Sequence, residues 1–484
     1  MNKLFRVKGI DAIIAESHSG NQLKRTLTTR NLIALGIGAV IGTGIFVLTG
    51  TAAANYAGPA LTVSFVISAL GCIMAGLCYA EFAAMIPVAG SAYSYSYATL
   101  GEFIAWLIGW DLILEYLFAA STVAVGWSGY IVSFFSDLGI HMPVTLTSAP
   151  FDFVHGEGWV STGSLVNFPA ICVIALFCTL LLGGIKRSSM LNNVIVIIKL
   201  IVILLFIGFG ASYIDTSNWT PYIPENTGQF GFFGWSGILR GAGVIFFAYI
   251  GFDAVSTAAQ EAKDPQKSMP KGMLYSLMIC MVLYILVTIV LTGIVNYKDL
   301  NVPAPIAYAI DRAGEGLFWL RPFIKIGAIA GLSSVILVLM LGQSRIFYIM
   351  SKDGLLPPVF SKVNRKYGTP HYSTIMTGLS CGVIAGLLPI NVLGELVSIG
   401  TLMAFVLVCT SIIVLRKTRP DVKRPFKTPF VPFVPVLGIV ICLSQMLALP
   451  MDTWIRLFAW MAIGLVCYFC YGKKHSKLND PKAP

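Results

Sequence analysis

The chain has 484 residues, of which 56% are apolar and 11% are charged. Soluble globular proteins carry about 25% charged residues, so this composition excludes a chain built of soluble domains. The 33 Lys and Arg exceed the 22 Asp and Glu, but they lie between apolar runs, which favours orientation in a bilayer over binding to nucleic acid. We therefore expect an all-α integral membrane protein in contact with membrane lipids, with no nucleic-acid partner.

The apolar runs are long enough to cross a membrane, since roughly 20 apolar residues span the hydrocarbon core as a helix. Twelve such stretches occur, at 31–54, 60–85, 102–134, 165–184, 190–212, 236–259, 271–295, 322–349, 372–389, 393–415, 432–449 and 453–471. Twenty-six Lys and Arg lie at the two termini and after even-numbered spans, against four on the opposite side. The positive-inside rule then predicts a multi-pass protein of the cell membrane with both termini cytoplasmic.

Spans one to five and six to ten form two halves, and because five is odd the halves have opposite orientation. We expect two inverted repeats with two further helices after them. The predicted segments are a cytoplasmic amphipathic segment at 1–29, a first repeat at 30–212, a second repeat at 236–416, two helices within 430–471 and a cytoplasmic tail at 472–484.

Glycines interrupt the first and sixth spans. Four occur in the run GIGAVIGTG (36–44), and each weakens a helix by up to about 1 kcal/mol. The alternative is close helix packing, since Gly38 and Gly42 form a GxxxG pair. Span six carries Gly251 just before Asp253, a residue type that caps new helices. Glycine-interrupted helices at matching positions of inverted repeats indicate a transport site near the bilayer midplane.

Such breaks leave peptide groups without helical partners. Amides near Thr43 and Gly44 would lie at the positive end of a half-helix and suit a carboxylate. Carbonyls near Val40, Phe247 and Ile250 would suit an ammonium group. A site with one pocket for each charge recognises a zwitterionic α-amino acid.

Two ionisable residues lie deep in the spans: Glu115, about 14 residues into span three, and Lys199, about ten residues into span five. Such residues are costly in a membrane and are candidates for function. Lys199 could release its proton and couple transport to H⁺, with Asp253 as a second proton-sensitive group. Glu115 could face the substrate side chain or pair with Lys199; a structural tie between helices is the alternative for both. Lys325, Glu81 and Glu395 lie nearer span ends, where snorkelling explains them.

Other function classes lack their motifs in the sequence. A P-loop is absent, which disfavours an ATP-driven pump on this chain alone. Histidines within the spans, metal-ligand spacings and a hydroxyl with a paired base are absent too, which disfavours an enzyme. A channel filter of the TVGYG type is absent. We expect no cofactor and no metal, with H⁺ as the coupling ion.

Longer motifs support a family resemblance over nearly the whole chain. They are GIGAVIGTGIF (36–46), CYAEFAAMIPVAGSAYSYSYATLGEFIAWLIGW (78–110), FFAYIGFDAVSTAAQEAKDPQKSMP (246–270), SRIFYIMSKDGLLP (344–357) and RPFKTPFVPFVP (424–435). With these runs the chain resembles the amino acid–polyamine–organocation superfamily, and within it bacterial members of the cationic amino acid transporter branch.

The resemblance implies the five-plus-five inverted-repeat fold, also called the leucine-transporter fold, with discontinuous spans one and six and alternating access. It assigns substrate groups to the breaks: the carboxylate to Gly42, Thr43 and Gly44, the amino group to the carbonyls of Val40, Phe247 and Ile250, and a lid to the Phe247 ring. Lys199 matches a lysine of proton-coupled bacterial relatives, which favours H⁺ over Na⁺.

We therefore expect a proton-coupled symporter for cationic or small neutral L-α-amino acids. Animal cationic relatives lack an acid at the position of Glu115, so a preference for cations cannot rest on that residue. An exchanger or facilitator on the same fold and, more remotely, a non-transporting amino acid sensor are the alternatives. The preferred side chain, the oligomeric state, lipid ligands and any small membrane partner subunit stay open at this point.

Overall fold

A computed structural model describes most of the chain. The described residues are 6–9, 13, 27–86, 91–154, 158–183, 186–253, 255–256, 259, 262–364 and 368–479, with the backbone alone at 154 and 186–193. About 78% of the structure is helical and almost none is sheet, which confirms the all-α prediction. Within these ranges the sheet is a two-stranded antiparallel hairpin, β1 (Phe151–Val154) and β2 (Gly158–Ser161).

The α-helices follow one another along the chain, with long connections at 138–167 and 211–233. They are α1 (Thr29–Val40), α2 (Thr49–Ala52), α3 (Leu61–Met85), α4 (Ser91–Thr99), α5 (Glu102–Asp137), α6 (Phe168–Leu182), α7 (Lys186–Gly210), α8 (Gly234–Ile245), α9 (Pro265–Ile294), α10 (Pro305–Ala313), α11 (Arg321–Lys352), α12 (His371–Leu387), α13 (Ile390–Thr418), α14 (Phe433–Ala448), α15 (Met451–Cys467) and α16 (Lys473–His475). Two π-helical segments, Gly44–Leu48 and Ala53–Ala57, flank α2.

Seven helical stretches of the described chain are long and apolar enough to cross a membrane. They are Gly44–Met85, Glu102–Asp137, Val194–Tyr213, Pro265–Ile294, Glu315–Lys352, Ile390–Thr418 and Met451–His475. Three shorter apolar helices, α1, α6 and α14, accompany them. The count of twelve spans and the division into repeats stay predictions.

Local sequence explains where several helices begin and how they pack. Thr28 caps α1 because its hydroxyl accepts a hydrogen bond from the Asn31 amide. Proline opens α9 and α10, where its missing N–H costs nothing. The long helix α5 packs against α11 and α13, while α9 packs against α1 and α3. These contacts bury the end of α1, from Gly36 to Val40.

Two charged residues predicted to snorkel are buried in ion pairs instead. The Lys325 side chain is 0% exposed, and its Nζ lies 2.5 Å from Asp137. Arg321 binds the same carboxylate at 2.7 Å. Glu81 is also 0% exposed and pairs with Arg416 at 2.7 Å. The snorkelling prediction was wrong because these side chains point at neighbouring helices rather than along their own toward the interface.

Parts of the N-terminal prediction fall outside the described residues. The amphipathic segment 1–29 is described at 6–9, 13 and 27–29, where Ile13 is buried. The β1–β2 hairpin lies in the segment between α5 and α6. We name the face with this hairpin the hairpin side, and the face with residues 6–9 and 473–479 the termini side.

We expect Lys325→Ala to destabilise the protein, because it removes a buried partner of Asp137 and leaves a void between α5 and α11. The loss should be about 2–3 kcal/mol, seen as a lower midpoint of thermal unfolding in detergent. The control Lys298→Ala changes an exposed lysine and should leave the midpoint nearly unchanged. Equal midpoints for both variants would contradict the pairing.

Candidate functional site

The first helix breaks where its glycines predict. Helix α1 ends at Val40, Ile41 is extended, and helical backbone resumes at Gly44 in a π-helical segment. The amides of Ile45 and Phe46 both donate to the Gly42 carbonyl at 3.2 Å. The amides of Gly42, Thr43 and Gly44 find no acceptor among the residues that the structure describes. Three adjacent donors are therefore available to a ligand.

The sixth predicted span breaks at a comparable place. Helix α8 ends at Ile245, a 3₁₀ turn covers Phe246–Tyr249, and Ile250 is extended. Gly251 has φ of 110°, a conformation that favours glycine. The helix that Asp253 is predicted to cap lies largely on residues outside the described part, so this role stays a prediction.

The two breaks lie against each other. A Cβ on Gly44 would come within 2.2 Å of the Ala248 Cα, and a Cβ on Gly251 within 2.8 Å of the Ala39 carbonyl oxygen. Side chains at either glycine would force the two segments apart. The glycines thus weaken the helices and also permit the backbone contact that joins the breaks.

Lys199 lies at the end of α1. Its Nζ donates to the carbonyls of Gly38 at 2.5 Å and Ile41 at 2.9 Å, and to the Ser334 hydroxyl at 3.3 Å. The side chain is 0% exposed. An ammonium group suits this place because the C-terminal end of a helix is its negative end. Lys199 therefore satisfies the carbonyls that the break frees.

Hydroxyl groups occupy further carbonyls around the breaks. The Tyr284 hydroxyl lies 2.9 Å from the carbonyl oxygens of both Val40 and Ala248. Tyr130 donates to the Phe46 carbonyl at 2.8 Å, and Thr49 donates to that of Gly44 at 2.8 Å. These partners were not predicted from the sequence. A hydroxyl-bearing residue within an otherwise apolar span is the feature that could have indicated them.

The groups of the site that lack hydrogen-bond partners in the described chain are therefore mainly donors. The Thr43 hydroxyl is fully buried and has no partner in the described chain. It adds to the three amides of the first break. Among the carbonyls predicted to bind an amino group, Val40 already accepts from Tyr284, and Phe247 accepts from the Ile250 amide at 3.2 Å. An anionic group fits this arrangement best.

A vestibule leads to the break from the hairpin side. This cavity has a volume of about 430 Å³ and is lined by Val47, Thr51, Gly126 and Asn391 among others. A Cβ on Gly126 would lie 3.1 Å from both Thr43 and Val47, so Thr43 lies just beneath the cavity floor. A small solute in the vestibule is therefore separated from the free donors of the first break only by the residues of the cavity floor.

Aromatic side chains close the opposite side. The Phe405 ring packs edge-on against Phe246, Phe252 and Tyr79, with centroids 5.3, 5.3 and 5.5 Å away. All four side chains are essentially buried. The breaks are thus approached from the hairpin side and closed toward the termini side.

Glu115 lies on the closed side of the breaks. It is 1% exposed and lies beside Thr401, while the adjacent Tyr116 donates to Asp253 at 2.8 Å. Glu115 precedes Gly126 by eleven residues on α5, roughly 16 Å along the helix. The proposed Glu115–Lys199 pair is not formed, because Lys199 binds the end of α1 instead.

Comparison with known proteins gives the family. The family model "Amino acid permease" matches residues 27–467. The chain therefore belongs to the amino acid permease family of the amino acid–polyamine–organocation superfamily, as the sequence motifs indicate. It is a multi-pass membrane protein and an amino acid transporter by family.

Individual relatives match most or nearly all of the chain. It is 48% identical over 478 residues, 99% of both chains, to a protein named branched-chain amino acid permease BcaP from Bacillus subtilis (strain 168). It is 46% identical over 479 residues, 99% of this chain and 100% of the relative, to one named methylthioribose transporter from the same organism. A vacuolar cationic amino acid transporter 4 of Arabidopsis thaliana is 38% identical over 87% of this chain and 68% of its own length. Permeases and transporters are not enzymes.

We expect Gly44→Val to lower affinity for the preferred amino acid more than about tenfold, because the new side chain would push Ala248 and the second break away. Membrane insertion should be unaffected. The control Gly208→Ala places a methyl group in open space and should bind normally. A thermal-shift panel of the twenty amino acids measures binding. Preserved affinity in Gly44→Val would count against the site.

Thr43→Val tests the unpartnered hydroxyl with almost no change in shape. If this hydroxyl binds the substrate carboxylate, its loss should weaken binding by about 1.5–3 kcal/mol, or roughly ten- to a hundredfold in Kd. Thr51→Val, which alters the vestibule wall eight residues further along, is the matched control and should bind within about twofold of the parent. Equal affinities would exclude Thr43 as a carboxylate ligand.

Proposed function

We propose that this protein is a proton-coupled symporter that takes up L-α-amino acids by alternating access. The observation that carries the proposal is the set of unpaired donors at the first break, directly beneath the vestibule floor. A carboxylate fits these donors, and the carbonyl of Ile250 together with the free lone pairs of Val40 and Phe247 would receive the amino group.

The surroundings of the break favour an aliphatic side chain over a cationic one. A Cβ on Gly42 would meet Val335 at 3.0 Å and one on Gly44 would meet Ala248, while Val47 lies against Gly126 beside Thr43. The buried carboxylates of Glu115 and Asp253 lie on the closed side instead. We therefore propose neutral, branched aliphatic substrates, in keeping with the name of the 48% identical relative.

Lys199 is the proposed proton carrier. While protonated, it ties the end of α1 to the Ser334 hydroxyl through three hydrogen bonds. Release of the proton would weaken the attraction to the negative helix end and so loosen α1. This coupling would use no metal and no organic cofactor, with H⁺ and the amino acid as the transported species.

The architecture behind this function follows the sequence prediction. We propose twelve spans arranged as two inverted repeats of five with two further helices, both termini in the cytoplasm and the protein in the cell membrane. The hairpin side would then face outward. We expect the protein to contact membrane lipids and no nucleic acid. A small membrane partner subunit is not needed for this function.

Methylthioribose uptake is the second candidate because of the 46% identical relative. That sugar carries neither a carboxylate nor an ammonium group, so it would leave the donors of the first break with poorer partners. Competition decides between the two: leucine uptake into proteoliposomes should be inhibited by isoleucine and valine and not by methylthioribose. The reverse order of inhibition would favour the sugar.

Lys199→Met should abolish the response of uptake to a pH gradient. In proteoliposomes with an acidic exterior, the parent should accumulate leucine several-fold above its level without a gradient, whereas the variant should only equilibrate it. Counterflow exchange of leucine by the same variant is the control for folding and binding. Unchanged gradient dependence would refute coupling through Lys199, and exchange without net uptake by the parent would favour an exchanger. Binding without any flux would favour a sensor.

A further inference from the structure

Three segments that are far apart in sequence meet on the termini side. They are the N-terminal residues 6–9, the end of α11 at Asp353, and the tail residues 476–479. They meet around Glu102, the first residue of α5. None of these groups belongs to the substrate site, which lies deeper in the molecule.

The N-terminal segment, residues 6–9, binds both Asp353 and the start of α5 at Glu102. Lys8 pairs with Asp353 at 2.8 Å, and its amide donates to the Tyr97 carbonyl at 3.1 Å. The Glu102 amide donates to the Arg6 carbonyl at 2.9 Å. The segment thus runs between the start of α5 and the end of α11.

The tail, residues 476–479, also binds both Glu102 and Asp353. Ser476 donates from its hydroxyl to the Glu102 carboxylate at 2.5 Å, and the Lys477 amide donates to the Asp353 carbonyl at 3.1 Å. The Arg6 guanidinium donates to the Leu478 carbonyl at 2.6 Å. The tail therefore lies over the N-terminal segment and is bonded to it directly.

This cluster is dry although it lies at a face of the molecule. Glu102 is 4% exposed, Asp353 7% and Ser476 4%. Hydrogen bonds to ionised groups are stronger when water is excluded. Tyr93 and Tyr468 supply further donors, at 2.7 Å to Asp353 and 3.0 Å to Glu102. Each carboxylate is thus held by several segments at once.

We propose that residues 476–478 form a strap that holds the N-terminal segment against Asp353 and Glu102 and so keeps the termini side closed, and that the strap must detach before the site opens to that side. This inference rests on the proposed alternating-access cycle. Its physical basis is the helix ends that it ties together, the start of α5 at Glu102 and the end of α11 at Asp353. Helix α11 also carries Ser334, which binds Lys199 at the end of α1. Loosening the strap therefore shifts the population toward a form in which α1 can move.

The test measures how often the closed side opens. A cysteine is introduced at Val255, which is 0% exposed and lies against α1 beside Gly36, in a background without the ten native cysteines. A membrane-impermeant maleimide is applied from the termini side of membrane vesicles. Ser476→Ala should speed labelling about tenfold, the population shift expected from loss of one charge-assisted hydrogen bond.

The neighbouring Lys477→Ala is the matched control. The Lys477 side chain is exposed, and its contact with Asp353 is through the backbone amide, so labelling should stay at the parent rate. A chain ending after His475 should label at least as fast as Ser476→Ala. Parent-like labelling in Ser476→Ala overturns the strap, and so does equal acceleration by Lys477→Ala. Should the truncated chain fail to fold, the comparison of the two point variants decides.

Labelling requires no substrate. Failure of the proposed function would appear as absent amino acid flux in a parallel uptake assay, whereas failure of the strap would appear as unchanged labelling in a protein that still transports. The two results are therefore distinguishable.

Discussion

Peptide groups without partners are expensive in the interior of a membrane protein, and the arrangement of the site follows from how that cost is met. Around the two breaks the freed carbonyls are occupied by side chains: Lys199 binds the end of α1, and the hydroxyls of Tyr284 and Tyr130 bind further along. The amides of residues 42–44 and the Thr43 hydroxyl have no such partners in the described chain. The carbonyls of Gly38, Val40 and Ile41 at the first break thus have partners within the protein. The donors of the same break do not, which is the property expected of a carboxylate site.

The substrate site is accessible from the hairpin side and closed on the termini side. The vestibule ends just above Thr43 of the first break on the hairpin side. The rings around Phe405 and the strap over Glu102 close the termini side. These features lie at different depths: the rings pack directly beneath the breaks, and the strap lies at the surface. Opening toward the termini side would have to separate both, so neither alone determines the conformation.

Sequence reasoning predicted the helical class, the break in the first helix and the depth of Lys199, because glycine runs and intramembrane charges are costly wherever they occur. It could not predict which side chains form hydrogen bonds or ion pairs with one another. The faces of the spans are almost uniformly apolar, so the pattern does not fix how each helix is rotated. For this reason it left open whether Glu115 pairs with Lys199, a pair that the structure does not form. It also missed the burial of Lys325 and Glu81 in ion pairs. The role of Tyr284 was missed because a tyrosine in an apolar span resembles packing until its neighbours are known.

The most direct measurement is an experimental structure of the protein with bound leucine. The account predicts that α1 stops at Val40 and that the leucine carboxylate lies within hydrogen-bonding distance of the amides of residues 42–44 and the Thr43 hydroxyl, about 2.7–3.2 Å. A first helix that runs unbroken through residues 40–44, or a carboxylate bound elsewhere, would contradict it.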